Sequence, residues 1–289
     1  MTANARWKSL FPLPAALLST AFALLAVFWI VAGGHDRIAW CGVLIANAVL
    51  PTFLAWLQLG NVRRTSEYLP FLLLASIAGP VLAAWEVFAE GAANWPVLVP
   101  AVIGTALLAL YVFWYSRFDR QPSEALAVGK KLRPFDLAAA DGAIFRSAEL
   151  HGAPAVLVFY RGNWCPLCMA QVRELAGRYQ DIEALGATVV LISPQEAGYS
   201  KQLSERLGVD FRLLVDETNS LAEKLGIAIR NGVPLGQAGG FSPDTVMPTV
   251  IAVNASGTIV YSDQTDNYRL RPEPDIYMAI LRRAGAINK

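Results

Sequence analysis

The chain has 289 residues, a formal net charge of +1 and a 55% share of hydrophobic residues. This charge balance gives no reason to expect nucleic-acid binding, and three cysteines are too few for a disulfide framework. The composition is uneven: charges are sparse before about residue 115, whereas the remainder is typical of a soluble domain. The sequence therefore predicts two domains of different character.

Four apolar stretches occupy the first part of the chain, at about residues 13–31, 38–59, 68–88 and 96–115. Each is close to the roughly 20 residues that a helix needs to cross a bilayer. Buried helices of a soluble core are the alternative, but short connectors and few charges favour membrane spans. The first stretch also has features of a secretory signal, although its length and the spans that follow favour an uncleaved anchor. We predict an all-α four-helix transmembrane domain over residues 1–116, with the lipid bilayer as its partner.

The placement of Lys and Arg predicts the orientation, because cytoplasmic connectors are enriched in these residues. Only Arg37 lies on the opposite side of the predicted spans. The basic residues on the other side are Arg6, Lys8, Arg63, Arg64, Arg117, Arg120, Lys130, Lys131 and Arg133. We therefore predict an integral protein of the inner (cytoplasmic) membrane whose second domain faces the cytoplasm. A periplasmic second domain is the alternative.

The segment 117–131 is charged and lacks an apolar period, so it predicts a juxtamembrane linker. The remaining residues, 132–289, alternate between apolar runs typical of buried strands and helical segments. This order predicts an α/β fold with a central mixed sheet flanked by helices. Strands are predicted at 155–160, 187–193, 211–215, 249–253 and 258–261, a hairpin at 135–145, and helices at about 169–185, 199–207, 220–225 and 273–284.

A Cys-Pro-Leu-Cys motif stands between the 155–160 strand and the helix that follows it. Such a pair at a strand-to-helix junction is typical of thioredoxin-like redox sites. Cys165 is expected at the helix N-terminus, where the helix dipole and free N–H groups stabilise a thiolate. Pro166 suits the first helical position, and Cys168 lies one turn further on the same face. We predict Cys165 as the attacking thiol and Cys168 as the resolving thiol, with Trp164 as a supporting neighbour.

Two other interpretations of the motif are weaker. A zinc site needs three or four protein ligands, and the soluble region offers only His151 beyond the cysteine pair. Inert core cysteines are the second alternative, against which the specific Trp-Cys-Pro-Leu-Cys context argues. The third cysteine, Cys41, lies in the second apolar stretch and is interpreted as a small packing residue. We predict no metal and no organic cofactor.

The segment Met247-Pro248-Thr249 directly precedes a predicted buried strand. A proline there can be an ordinary strand-start residue. Given the upstream cysteine pair, we favour a cis-proline loop that faces the cysteines. Its backbone is expected to pair with an extended substrate segment.

Residues from about 132 to 284 resemble the peroxiredoxin-like branch of the thioredoxin superfamily, the alkyl hydroperoxide reductase/thiol-specific antioxidant group. The resemblance covers little more than half of the chain and does not include the four spans. It rests on Phe-Tyr-Arg-Gly-Asn-Trp-Cys-Pro-Leu-Cys at 159–168, Val-Leu-Ile-Ser at 190–193, Leu-Val-Asp at 214–216 and Gly-Ile at 226–227.

The sequence departs from this family's pattern in two places. The resemblance implies a Thr or Ser three residues before the attacking cysteine and an Arg just before the late strand. These places hold Gly162 and Met247, which argues against efficient peroxidase activity. Arg161 could supply the positive charge of the missing arginine at position 247. The alternative is that Arg161 is a solvated loop residue. Thioredoxins carry a buried Asp where this chain has Phe159, so the sequence identifies no proton acceptor for Cys168.

The leading functional hypothesis is a membrane-anchored thiol–disulfide oxidoreductase with a Cys165–Cys168 dithiol. A thiol-dependent hydroperoxide reductase is the second hypothesis, and the resemblance implies it directly. A redox sensor or adaptor that signals to the membrane bundle is the third. The expected partners are a disulfide or hydroperoxide substrate and a thiol reductant such as thioredoxin or glutathione.

Overall fold

The structure is a computed structural model, and it describes residues 2–33, 36–89, 95–237 and 241–287. The chain divides into two compact units. One unit is the continuous segment Leu10–Arg117, and the other combines Met1–Ser9 with Phe118–Lys289. We call them the helical unit and, because it contains the cysteine pair predicted to be redox-active, the redox unit.

Among its described residues, the helical unit contains four helices that are long and apolar enough to cross a membrane, judged by length and composition. The last of them ends in a five-residue π-helical turn at Tyr111–Tyr115. The α-helices of this unit are α2 (Pro12–Ala32), α3 (Arg37–Leu59), α4 (Pro70–Ala89) and α5 (Leu98–Leu110). Helix α1 (Thr2–Leu10) precedes them in the chain, and its residues up to Ser9 belong to the redox unit. The predicted helical character of this segment is therefore confirmed.

Helices α3 and α4 pack at backbone distance where two glycines face each other. A Cβ added to Gly42 would lie 2.4 Å from the Gly79 carbonyl oxygen, and a Cβ on Gly79 would lie 2.5 Å from the Gly42 carbonyl oxygen. Small residues permit this approach, which is how apolar helices gain packing contacts without a hydrophobic driving force. Nearby, the buried Asn47 amide donates to the carbonyl oxygens of Val43 and Pro100, both at 2.9 Å, and joins α3 to α5.

The strands of the redox unit are β1 (Asp136–Ala139), β2 (Ile144–Arg146), β3 (Ala155–Phe159), β4 (Thr188–Ser193), β5 (Arg212–Val215), β6 (Ala228–Ile229), β7 (Thr245–Val246), β8 (Thr249–Val253) and β9 (Ile259–Asp263). Seven of the described strands form a mixed sheet of order β2-β1-β5-β4-β3-β8-β9. Its three central strands β3, β4 and β5 are parallel, and β8 runs antiparallel to β3. The α-helices are α6 (Pro166–Ala176), α7 (Tyr179–Glu183), α8 (Ala197–Leu207), α9 (Ser220–Lys224) and α10 (Pro274–Ile287).

The predicted α/β class is confirmed, and two elements of the redox unit differ from the prediction. The helix expected at about 169–185 is two helices, because α6 ends at Ala176 and α7 begins at Tyr179. The small antiparallel pair β6–β7 was not predicted, since two-residue strands leave no periodic pattern in a sequence. Every residue of β3 and β8 is buried, as expected for strands covered on both faces.

Replacing Gly79 by Leu should destabilise the helical unit by about 1–3 kcal/mol or more, because the leucine side chain must displace the backbone of α3. Ala78→Leu is the matched control, since Ala78 is exposed on the same helix. The measurement is thermal unfolding of the full chain in detergent. Equal melting temperatures for the two variants would contradict the close packing of α3 and α4.

Candidate active site

Cys165 is the N-cap residue of α6 and lies at the end of the loop that follows β3. Its sulfur accepts a hydrogen bond from the Cys168 backbone N–H at 3.4 Å. The sulfur thus takes the place of the oxygen that usually caps a helix. Pro166 is the first helical residue and fixes the backbone for the helix start. This local chemistry brings Cys165 and Cys168 together at the carboxyl end of the central strand β3.

Both sulfurs are in the reduced, unpaired state and both side chains are buried. Cys165 is 1% exposed and Cys168 is fully covered. The predicted pair is therefore assembled in one place, beneath the surface of the redox unit. In the described part of the chain, no group of three or more His, Cys, Asp and Glu side chains comes close enough to hold a metal ion.

Two buried guanidinium groups supply positive charge to the pair. Nη2 of Arg271 lies 3.7 Å from the Cys168 sulfur. Arg161 is only 2% exposed, so it is not the solvated loop residue that was the alternative interpretation. Its guanidinium donates to the Gly232 carbonyl oxygen at 2.7 Å and lies over the rings of Phe118, Trp164 and Tyr268.

The two thiols differ in their ionisation. Burial raises the pKa of Cys165 well above its ordinary value, and the hydrogen bond and charge of Cys168 act in the same direction. Burial also raises the pKa of Cys168, but the hydrogen bond from Cys165 and the charges of Arg271 and Arg161 outweigh it and lower that pKa to about 6. The helix N-terminus alone predicts the thiolate at Cys165. The hydrogen bond from Cys165, followed by the charges of Arg271 and Arg161, favours the thiolate at Cys168 instead, with the proton of the pair on Cys165.

Gln195 anchors the loop in front of the cysteines. Its side-chain oxygen accepts the Asn163 backbone N–H at 2.8 Å, and its amide donates to the Tyr160 hydroxyl oxygen at 3.0 Å. The Asn163 amide in turn donates to the Tyr199 carbonyl oxygen at 2.9 Å. Sequence reasoning missed Gln195, because a lone Gln after a buried strand carries no distinctive signal.

Gly162 has a backbone conformation that disfavours other residues, with φ +141. A Cβ added at this position would lie 2.7 Å from the indole nitrogen of Trp164. The Thr or Ser implied by the family resemblance therefore does not fit here, for reasons of both backbone conformation and space. The place where a hydroxyl was expected is closed by the Trp164 side chain.

The prediction of a cis-proline loop is wrong. No peptide bond in the described residues is cis, so Met247–Pro248 is trans. The Met247 N–H donates to the Ile227 carbonyl oxygen at 2.7 Å, and the Pro248 carbonyl oxygen accepts from Arg120 at 3.2 Å. The domain itself thus uses the backbone groups that were expected to pair with a substrate segment.

The segment nevertheless lies next to the cysteine loop. Thr249 is the β8 partner of Phe159, at the end of the strand that leads to the motif. The Thr249 hydroxyl donates to the Met247 carbonyl oxygen at 2.8 Å and accepts from Arg120 at 2.9 Å. The Thr245 hydroxyl donates to the Arg161 carbonyl oxygen at 3.0 Å. These bonds give Arg120 and Thr245 a positioning role that the sequence did not indicate.

The strand order, the position of the dithiol and its helix N-terminus define a thioredoxin-like redox domain. Residues 128–262 match the family model described as "AhpC/TSA family". This match supports a peroxiredoxin-like domain of the thioredoxin superfamily over these residues.

Individual proteins are similar to parts of this chain. A chloroplastic peroxiredoxin Q of Triticum aestivum is 30% identical over 93 residues, which are 32% of this chain and 43% of that protein. Peroxiredoxin Bcp of Bacillus subtilis is 24% identical over 102 residues, 35% of this chain and 65% of that protein. The chain thus spans less than half the length of the peroxiredoxin Q relative. A solved structure of peroxidoxin BcpB of Mycobacterium tuberculosis superposes with a TM-score of 0.46 and 21% identity, covering 55% of this chain and 97% of the other.

Gly162→Thr should destabilise the redox unit by about 1–3 kcal/mol, because it adds both backbone strain and a clash with Trp164. Gly142 also has a positive φ, +90, but an added Cβ there would meet open space. The Gly142→Thr variant therefore measures the cost of backbone strain without a clash. Gly198→Thr, in open space without positive φ, should change stability by no more than about 0.5 kcal/mol. Chemical denaturation of the full chain measures all three. A Gly162 variant as stable as the Gly198 variant would contradict the closed pocket.

Proposed function

We propose that the redox unit is a thiol-dependent peroxidase in which Cys165 reduces a hydroperoxide and Cys168 resolves the product. The observation that carries this proposal is the buried Cys165–Cys168 pair at the N-terminus of α6, within a peroxiredoxin-like domain. The relatives named above are peroxiredoxins, and two cysteines one helical turn apart suit a dithiol–disulfide cycle.

The chemistry proceeds in two balanced steps. The Cys165 thiol first passes its proton to the hydrogen-bonded Cys168 thiolate. The resulting Cys165 thiolate attacks the terminal peroxide oxygen and breaks the O–O bond, and Cys168 gives the proton to the leaving oxygen and becomes a thiolate again. This step gives Cys165 sulfenic acid and an alcohol, or water when the substrate is hydrogen peroxide. The Cys168 thiolate then attacks the Cys165 sulfur and releases hydroxide, which leaves an intramolecular disulfide. A thiol reductant such as thioredoxin or glutathione restores the dithiol by thiol–disulfide exchange.

Thiol–disulfide exchange with another protein is the second candidate function. The closed space at Gly162 favours it, because no hydroxyl group can hold a peroxide at that position. In this reaction Cys165 attacks a substrate disulfide, and Cys168 displaces the substrate thiolate from the mixed disulfide. The two reactions share the same dithiol and differ only in the oxidising substrate.

We further propose that the helical unit anchors the protein in the inner membrane, with the redox unit in the cytoplasm. The four helices named above have mean hydropathies of 1.9 to 2.3 over their most apolar windows. The Lys and Arg residues of the predicted cytoplasmic segments support this orientation. A cytoplasmic location would also give the dithiol access to the thioredoxin and glutathione pools.

Cys165→Ser should lower steady-state turnover of hydrogen peroxide with a thiol reductant by at least about 100-fold, because it removes the attacking sulfur. Cys168→Ser should retain one rapid equivalent of peroxide consumption and then stall as the sulfenic acid. Cys41→Ser is the matched control and should be unaffected. The assay follows peroxide loss by the full chain in detergent.

Three outcomes separate the alternatives. Fast reaction of the reduced protein with a disulfide and slow reaction with peroxide would favour the exchange reaction. Oxidation of one equivalent without turnover by either substrate would favour a sensor. Unchanged turnover in the Cys165 variant would exclude all dithiol mechanisms.

A fluorescent protein that folds only in the cytoplasm, fused after the last residue, should fluoresce in a Gram-negative host. The fusion protein should also remain in the membrane pellet after a carbonate wash. Alkaline phosphatase fused after Gly33, beyond the first span, should be active because that enzyme needs the periplasm. The reverse pattern would place the redox unit in the periplasm, and fusion protein in the soluble fraction would contradict membrane anchoring.

A further inference from the structure

Arg271 is held in place by the backbone of its own loop. Its Nη1 donates to the carbonyl oxygens of Leu270, at 2.7 Å, and Tyr268. These two bonds orient the guanidinium so that Nη2 lies 3.7 Å from the Cys168 sulfur. The side chain is buried, so the charge acts through a medium that screens it less than water does.

Cys168 lies among a small set of charged and titratable groups. Arg271 approaches it from the loop before α10, and Arg161 approaches from the loop after β3. The Cys165 thiol faces it from the N-cap, and the Tyr160 phenol from the end of β3. Burial raises the pKa of Tyr160 to about 12, so this phenol stays neutral at physiological pH. Among the residues that the structure describes, the guanidiniums of Arg271 and Arg161 are the positive charges that lower the pKa of this thiol.

We infer that Arg271 is the positioning residue that keeps Cys168 as a thiolate, aimed to attack an oxidised Cys165. The inference deepens the proposed function, and it rests on that function only for the identity of the resolving step. Neither the family match nor the sequence pattern assigns Arg271 a role.

This role of Arg271 explains how Cys168 can lose its proton. A resolving thiol must lose its proton before it attacks, and this domain has Phe159 where a thioredoxin has a carboxylate. A fixed cation meets the same need in another way, because it stabilises the thiolate before the reaction begins. The Cys168 thiolate then attacks the Cys165 sulfur and displaces hydroxide from a sulfenic acid, or a thiolate from a mixed disulfide. No separate base is required for either displacement.

The first experiment measures thiolate absorbance at 240 nm against pH in the full chain carrying Cys41→Ser and Cys165→Ser, so that Cys168 is the single thiol. Adding Arg271→Gln should raise the titration midpoint by about one pH unit or more, as expected for loss of an adjacent opposite charge. Arg271→Lys should give a smaller rise. Arg178→Gln is the matched control, because Arg178 pairs with Asp275 of α10 at the protein surface and should leave the midpoint unchanged.

The second experiment measures the resolving step in the chain with both redox cysteines present. With Arg271→Gln, the sulfenic acid or mixed disulfide on Cys165 should persist at neutral pH, as followed by mass spectrometry. Raising the pH should restore fast disulfide formation, since higher pH deprotonates Cys168 without the cation. A role limited to folding would not be rescued by pH.

The outcomes of these experiments are distinct. An unchanged midpoint in a folded Arg271→Gln variant, or slow resolution that pH does not rescue, would overturn the inference. A raised midpoint together with full turnover in Cys165→Ser would instead support the role of Arg271 at Cys168 and overturn the proposed function.

Discussion

The active-site arrangement depends on a sulfur atom that caps a helix. Cys165 accepts the backbone N–H of Cys168, so one residue both begins α6 and brings the two sulfurs within reach of each other. Because the cap is a side chain from the loop after β3, the position of the dithiol is tied to a strand that is buried along its whole length. Helix start, strand end and redox chemistry are thus parts of one local structure.

Buried cations complete this structure. A thiolate removed from water is costly unless an opposite charge compensates it. Arg271 and Arg161 provide that charge from two loops that are far apart in the chain, and each guanidinium is oriented by backbone carbonyl oxygens. Arg161 is further enclosed by aromatic rings, which favour a cation over their faces. The thiolate therefore faces two cations whose positions are fixed by hydrogen bonds.

The sequence predicted the local features of this site well and the distant ones poorly. The Cys165–Cys168 spacing, the preceding apolar run and Pro166 are adjacent in the chain, so their geometry follows from helix and strand periodicity. Arg271 is 103 residues from Cys168, and an Arg before a helix has no pattern that reveals its partner. The expected cis bond at Met247–Pro248 was wrong, because that expectation came from the fold family and not from the contacts of these residues. The break between α6 and α7 was missed because the apolar pattern continues across it.

The burial of the dithiol has a consequence for its kinetics. With 1% and 0% of the two cysteine side chains exposed, no reagent meets either sulfur in the closed structure. Reaction therefore requires a local opening, and the observed rate is the intrinsic rate multiplied by the population of the open form. Selectivity then depends on which molecules stabilise the opening as well as on which ones react with sulfur. A partner that binds the loops and stabilises the open form will be oxidised or reduced faster than a more reactive molecule that does not bind them.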